Sequence, residues 1–208
     1  SARRKDKLEE AAKEMRALGG EALVVQADVT NEKQVADLFK QAMAKFGRVD
    51  ILVNNSGAFD GGPIEDLSLA TWQKVVDVNL TGVFLCTREA FKIMKKQKGG
   101  RIINIGSISA QMPRMNSAPY TATKHGLVGL TKSSALEGRA HGISVGTLHP
   151  GNVMTELRAS SADLKDAEPM MEPDDIAVAA LAMASLPPYA NMLETIVLPV
   201  EQQYLGRG

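Results

Sequence analysis

Short apolar runs of strand length alternate along this chain with helical stretches of a dozen residues or more, and that alternation limits the fold more than any other feature. The runs are Ala22–Ala27, Val49–Val53, Arg101–Ile105, Ile143–Leu148 and Glu194–Leu198. Leu8, Ala12, Met15 and Leu18 make a helical stripe that stops at Gly19-Gly20. Thr30 or Asn31 can cap a second helix through Val35, Leu38, Phe39, Ala42 and Phe46 to Gly47. A third helical region runs from about Leu69 to Lys98, a fourth from Ser117 to near Gly142, and a fifth from Pro173 to about Leu186. Such alternation builds an α/β fold, a doubly wound parallel sheet in three αβα layers. No repeat or linker divides residues 1–208, so a single domain is expected. Ligands of such sheets sit beyond the carboxyl ends of the strands. Asp28, Asn54-Asn55-Ser56-Gly57, Ser107 and Pro150-Gly151 all fall on that edge.

Composition narrows the function. Lys and Arg balance Asp and Glu to a formal charge of zero, which argues against a nucleic-acid partner held by a basic surface. No apolar run reaches the roughly 18 residues that span a bilayer, so no membrane partner is expected. Cys86 is the only cysteine, in an apolar setting that reads as a buried thiol, and it leaves no cysteine-based metal cluster. A reducing, cytoplasmic compartment and no bound metal are the expectations.

The chemistry concentrates between Ser107 and Lys124. Ser117 fits an N-cap, Pro119 fits the first helical position, and Tyr120 and Lys124 share one helix face at i, i+4. An ammonium beside a phenol stabilises the phenolate, lowering a pKa that is otherwise about 10. Tyr120 is therefore a candidate acid/base, with the Ser107 hydroxyl opposite it.

Six motifs in register make the chain resemble the classical short-chain dehydrogenase/reductase family. They are Asp28-Val29-Thr30, Asn54-Asn55-Ser56-Gly57, Asn79 within Val-Asn-Leu-Thr-Gly, Ser107, Tyr120-x-x-x-Lys124 and Pro150-Gly151-x-x-x-Thr155, with Tyr120 thirteen positions after Ser107. The resemblance implies a Rossmann-like domain and hydride transfer between a nicotinamide cofactor and a carbonyl or secondary alcohol. It implies Tyr120 as general acid/base, Lys124 lowering its pKa and binding the nicotinamide ribose, and Ser107 stabilising the substrate oxygen. It assigns Asn79 to a proton relay through water. Position alone does not separate Ser107 from Ser109, which is placed in the substrate pocket with Met112, Arg114 and Met154. Arg114 reads either as a contact for an anionic substrate or as a surface arginine.

The same resemblance gives a cofactor set. Asp28 and Val29 lie at the adenine; Asn54, Ser56 and Gly57 pass close to the ribose and nicotinamide; Pro150, Gly151, Val153 and Thr155 shape the nicotinamide pocket, with Tyr120 and Lys124 beside it. Asn54, Asn79 and Gly151 also suit caps and turns. Arg3 and Arg4 stand where an acidic residue would favour NAD, and a guanidinium suits a 2′-phosphate, so NADP(H) is favoured over NAD(H).

The family's first strand, its Gly-rich turn and most of its second strand have no counterpart here, an N-terminal unit of about 35 to 45 residues. Gly19-Gly20 ends a helix and is not that turn. The expectation is that the Ala22–Ala27 strand stands apart from the Val49 strand. The helices near Thr81–Lys96 and Pro119–Ala140 are expected to pair in a homodimer or homotetramer. An alternative is a catalytically silent member of the family acting as a binding or scaffold protein. A hydrolase using Ser107 with His125, His141 or His149 lacks a nucleophile-elbow motif.

Overall fold

Residues 1–155 and 169–203 are described by the structure, a computed structural model. Four strands form one parallel sheet: β1 (Ile51–Asn54), β2 (Gly100–Ile105), β3 (Ile143–Pro150) and β4 (Glu194–Val197), in the spatial order β1-β2-β3-β4. The helices are α1 (Lys5–Ala17), α2 (Glu32–Phe46), α3 (Leu69–Val76), α4 (Gly82–Gln97), α5 (Ala118–Gly138) and α6 (Pro173–Ala184).

Successive residues of β2 point to opposite faces, and each face acquires its own core. On one face Ile102 and Val145 pack with Val35 and Phe39 of α2 and Leu85, Ala90 and Met94 of α4. On the other Ile103 and Leu148 pack with Met183 of α6. Helices on both faces give the expected three layers. Asn31 caps α2, accepting from the amides of Lys33 and Gln34, and Gly47 ends it at φ +74°, a left-handed position that glycine adopts freely.

A buried polar ladder ties the sheet to α5. Asn54 pairs in register with Asn104 and donates to its Oδ1 at 2.8 Å. Asn104 donates to Thr131 Oγ1 at 2.9 Å, and Thr147 donates to the same oxygen at 2.9 Å. Buried polar groups persist only when so partnered.

Two expectations need correction. Residues 22–27 form no strand of the sheet: the pairing they make is a single parallel bridge, Ala2 to Gln26, with the Ala27 amide donating to Ala2 O at 3.1 Å. Among the described residues no strand lies between this segment and β1, so the ladder is not continued. The gap is marked by half-exposed Ile51 and Val53 and by a cavity of about 250 Å³ lined by Val29, Phe39, Leu52, Val53 and Cys86. Ser117 holds the N-cap position of α5 without capping it. Its hydroxyl instead donates to Arg114 O at 2.7 Å and shares a hydrogen bond with Thr121, and Pro119 is the second helical residue.

Candidate active site

The carboxyl end of β2 and the first two turns of α5 bring the central residues together. Ser107 follows β2 and caps a short 3-10 turn, its Oγ accepting from the Ser109 amide at 3.1 Å. Its hydroxyl lies beside the Tyr120 phenol, whose ionised form it favours. This distinguishes the two serines: Ser107 meets the phenol, while Ser109 is buried in the turn. Phe59 packs edge-on against the Tyr120 ring at 5.1 Å. Lys124 Nζ lies 5.5 Å from the centre of that ring and donates to Ile105 O at 2.8 Å.

The electrostatics differ from the expectation drawn from Tyr120-x-x-x-Lys124. Burial pushes the Tyr120 phenol up, outweighing the neighbouring Ser107 hydroxyl and the positive charge of Arg114, which push it down. Burial also brings the Lys124 ammonium down, to about 8. Arg114 is thus a second cation near the phenol, one that Tyr120-x-x-x-Lys124 does not show. That guanidinium donates to Asn152 Oδ1 at 2.8 Å, holding the segment after β3 against the loop after β2.

Asn79 sits fully buried in a π-helical turn, Asp77–Thr81, between α3 and α4. Such turns recur at functional sites. Its Oδ1 accepts from the Ala58 amide at 2.7 Å, and its Nδ2 donates to Ala58 O at 2.9 Å and to Thr123 Oγ1 at 3.3 Å. Thr123 donates in turn to Tyr120 O at 2.8 Å. The side chain is thus a clamp joining the loop after β1 to the tyrosine's own helix turn. The clamp was not legible in the sequence, because it joins residues 21 and 44 positions apart.

The remaining candidates divide into three groups. Asp28 accepts from the Thr30 amide and hydroxyl, which hold its carboxyl below the usual range with help from Arg3. Arg3 O accepts from Gln26 at 2.7 Å, so Arg3, Arg4 and Asp28 come to one corner; Val29 lies against Gly82. Ser56 and Gly57 are exposed beyond β1. Asn54 has its amide nitrogen spent on Asn104 and Thr87, so its side chain belongs to the ladder and only its main chain faces the sheet edge. Pro150 ends β3, the Gly151 amide donates to Val197 O at 2.8 Å, and Val153 bridges to Met171. Met154 donates through its amide to Met171 O, Met112 is partly exposed, and Thr155 is the last described residue of this stretch. The polar, Met-rich sequence from about Glu156 to Glu172 lies largely outside the described residues. His149 meets Ser107 at the main chain, not at the hydroxyl, and so does not form a Ser–His pair of the hydrolase kind.

Comparison with known proteins identifies the family. A family model described as short chain dehydrogenase matches residues 1–166. A 3-oxoacyl-[acyl-carrier-protein] reductase of Synechocystis sp. is 43% identical over 159 residues, 76% of this chain and 63% of that protein, so the match spans less than two thirds of the relative. Among solved structures, a gluconate 5-dehydrogenase of Burkholderia cenocepacia in complex with NADP and tartrate superposes with a TM-score of 0.85 at 29% identity, over 94% of this chain and 81% of that one. A metagenomic short-chain oxidoreductase in complex with NADP gives a TM-score of 0.81 at 33% identity, over 95% and 82%. The chain belongs to the short chain dehydrogenase family.

Proposed function

We propose that the protein transfers a hydride between NADP(H) and a carbonyl or secondary alcohol, with Tyr120 as the acid/base. The observation that carries this reading is the placing of the Ser107 hydroxyl beside the Tyr120 phenol, with the buried Lys124 Nζ 5.5 Å from the centre of the same ring. A substrate oxygen placed against both hydroxyls would accept from each. Ser107 then holds the oxygen where negative charge develops, and Tyr120 gives it the proton in reduction or takes it in oxidation. A phenol pushed up by burial stays protonated at neutral pH, the form reduction requires. Reduction should therefore hold its rate through neutral pH and fall as the phenol ionises, while oxidation should rise with pH. Initial rates in both directions across the pH range test this.

The residues present fit a nicotinamide cofactor. Lys124 has a buried ammonium that hydrogen-bonds the Ile105 carbonyl, which leaves donors for ribose hydroxyls. Asp28 and Val29 suit the adenine, with Arg3 and Arg4 adjacent for a 2′-phosphate. The main chain of Asn54, Ser56 and Gly57 lines the approach, and Pro150, Gly151, Val153 and Thr155 suit the nicotinamide side. When bound, the nicotinamide supplies or accepts the hydride. Asn79 supports a proton relay from Lys124 through the main chain of its π turn, since its amide hydrogens are committed. Met112, Met154 and Arg114 border the substrate. The 3-oxoacyl group in the Synechocystis relative's name and the gluconate in the Burkholderia one's bring a ketone and a secondary alcohol respectively, both of which this arrangement serves.

The test is NADPH consumption followed at 25 °C with acetoacetyl-CoA, diacetyl and 5-ketogluconate. Turnover of at least one supports the reading. A folded protein that binds NADPH but consumes none with any of the three contradicts it and favours the scaffold alternative.

A further inference from the structure

His149 is fully buried near the end of β3, and the mechanism above does not use it. Its ring lies across the end of β2 because residue 106 is glycine: a Cβ there would stand 2.5 Å from Nδ1 and 2.8 Å from Cε1. Nδ1 lies 3.2 Å from the amide nitrogen of Ser107 and 2.8 Å from its carbonyl oxygen. Nε2 is the one buried side-chain nitrogen or oxygen among the described residues with no hydrogen bond. Glu194 Oε1 stands 3.5 Å from it. Glu194 is itself held, accepting from Gln111 Nε2 at 3.1 Å and pairing with Lys132 at 3.4 Å.

A single nitrogen cannot accept from the Ser107 amide and donate to the Ser107 carbonyl at once, so the tautomer decides which bond exists. Glu194 makes that choice. Burial pushes its carboxyl up, but Gln111, Lys132 and His149 together bring it below the usual range, so it is anionic at neutral pH. An anion facing Nε2 favours a proton there, since a bare lone pair would be repelled. Nδ1 is then unprotonated and accepts from the Ser107 amide at 3.2 Å, the charge of Glu194 at Nε2 outweighing the 2.8 Å approach of the neutral Ser107 carbonyl to the bare lone pair.

We propose that His149 is a positioning residue for Ser107, holding the serine's main chain through Nδ1 in the Nε2–H tautomer that Glu194 selects, so that the hydroxyl stays aimed at Tyr120. The proposal rests on the reading of Ser107 as the group that receives the substrate oxygen. Outer partners that fix a functional group's orientation act in the same way at metal-bound histidines. Protonation of the ring would undo the arrangement. Nδ1 would donate to Ser107 O, and the amide would lose its acceptor. The charged and polar groups around the ring are the Gly106–Ser107 main chain beyond β2, Glu194 of β4, and Lys124 and Lys132 of α5. Burial favours the neutral ring, opposed by the Ser107 carbonyl and Glu194 and assisted by the two lysines. The holding form is therefore present at neutral pH and lost as pH falls.

Two measurements on the full chain test the proposal. Long-range 15N–1H NMR of protein labelled at histidine should give His149 at pH 7.5 as a neutral ring with its proton on Nε2, assigned by its loss in His149→Asn. A proton on Nδ1 would overturn the proposal, and this readout needs no turnover. With NADPH and acetoacetyl-CoA as probes, His149→Leu should lower kcat roughly tenfold or more, the scale of small misplacements, and flatten the acid limb of the pH profile. The KM for NADPH should stay within about a factor of two, as for a group acting only on the chemical step. His149→Asn, whose Oδ1 replaces Nδ1, should recover most of kcat. His149→Gln, which puts its polar end at the Nε2 position, should not, and this pair decides if the leucine variant fails to fold. Equal rates for all three, or equal loss in Asn and Gln, would contradict the proposal. Ser107→Ala separates the two levels: if it retains full rate, the role given to Ser107 falls. If it loses rate while His149→Leu does not, only the histidine's role falls.

Discussion

Lys124 carries the clearest conflict between stability and function. Burial holds its ammonium at about 8, against 10.5 in the unfolded chain. Below pH 8 both states carry the proton, and the cost of burying the charge is felt in full. Between pH 8 and 10.5 the folded state sheds its proton first, the unfolded state binds more, and stability rises with pH. Lys124→Met should therefore stabilise the protein at pH 7 by about 1–2 kcal/mol while abolishing turnover, a trade common at functional sites. Urea unfolding at pH 7 and pH 10 checks this, and the gain should shrink at the higher pH. A loss of stability at pH 7 would mean the Ile105 carbonyl depends on the ammonium more than the charge costs. The Tyr120–Lys124 pair was readable in the sequence because both lie on one face of one helix. Arg114's effect on the phenol was not, since it depends on how the loop after β2 folds back over the tyrosine.

At the scale of elements, the loop after β1 and the start of α5 are joined by Asn79 in its π turn. Asn79→Ala removes three hydrogen bonds and strips the Ala58 amide and carbonyl of their partners. The expected cost is about 1–3 kcal/mol. Amide exchange at Ala58 should accelerate more than exchange in β2, and kcat should fall because Phe59, next in the loop, loses its place against Tyr120. Unchanged Ala58 exchange would remove the clamp from the account. Asn104→Leu should also destabilise, since it takes one buried partner from each of Asn54 and Thr131, leaving Asn54 with Thr87 and Thr131 with Thr147. Periodicity located these strands and helices well, but it located residues 22–27 as a strand that the structure reduces to one bridge. A strand exists by pairing, and the pattern of Leu23, Val24 and Val25 cannot report whether a partner lies alongside.

Across the whole molecule, an edge strand with half-exposed Ile51 and Val53 is an incomplete surface. A ligand that bridges Arg3, Asp28 and Lys124 should stabilise the fold by mass action, about 2.7 kcal/mol at a hundred times its Kd. NADPH should raise Tm more than NADH at equal concentration, and Arg3→Glu should remove the difference. Equal shifts in the wild type would contradict the assignment of Arg3 and Arg4 to a 2′-phosphate. Phe84 of α4 and Leu136 of α5 are exposed, and we propose that they lie in the interface of the expected homodimer or homotetramer. Leu136→Glu should then elute later on size exclusion than the wild type. The central claim is that Tyr120 is the proton donor and acceptor of a hydride-transfer site, and Tyr120→Phe tests it most directly. The variant should bind NADPH with nearly wild-type affinity by nicotinamide fluorescence and turn over none of the carbonyl substrates that the wild type reduces. Wild-type rates in a variant that lacks only one oxygen would contradict the account.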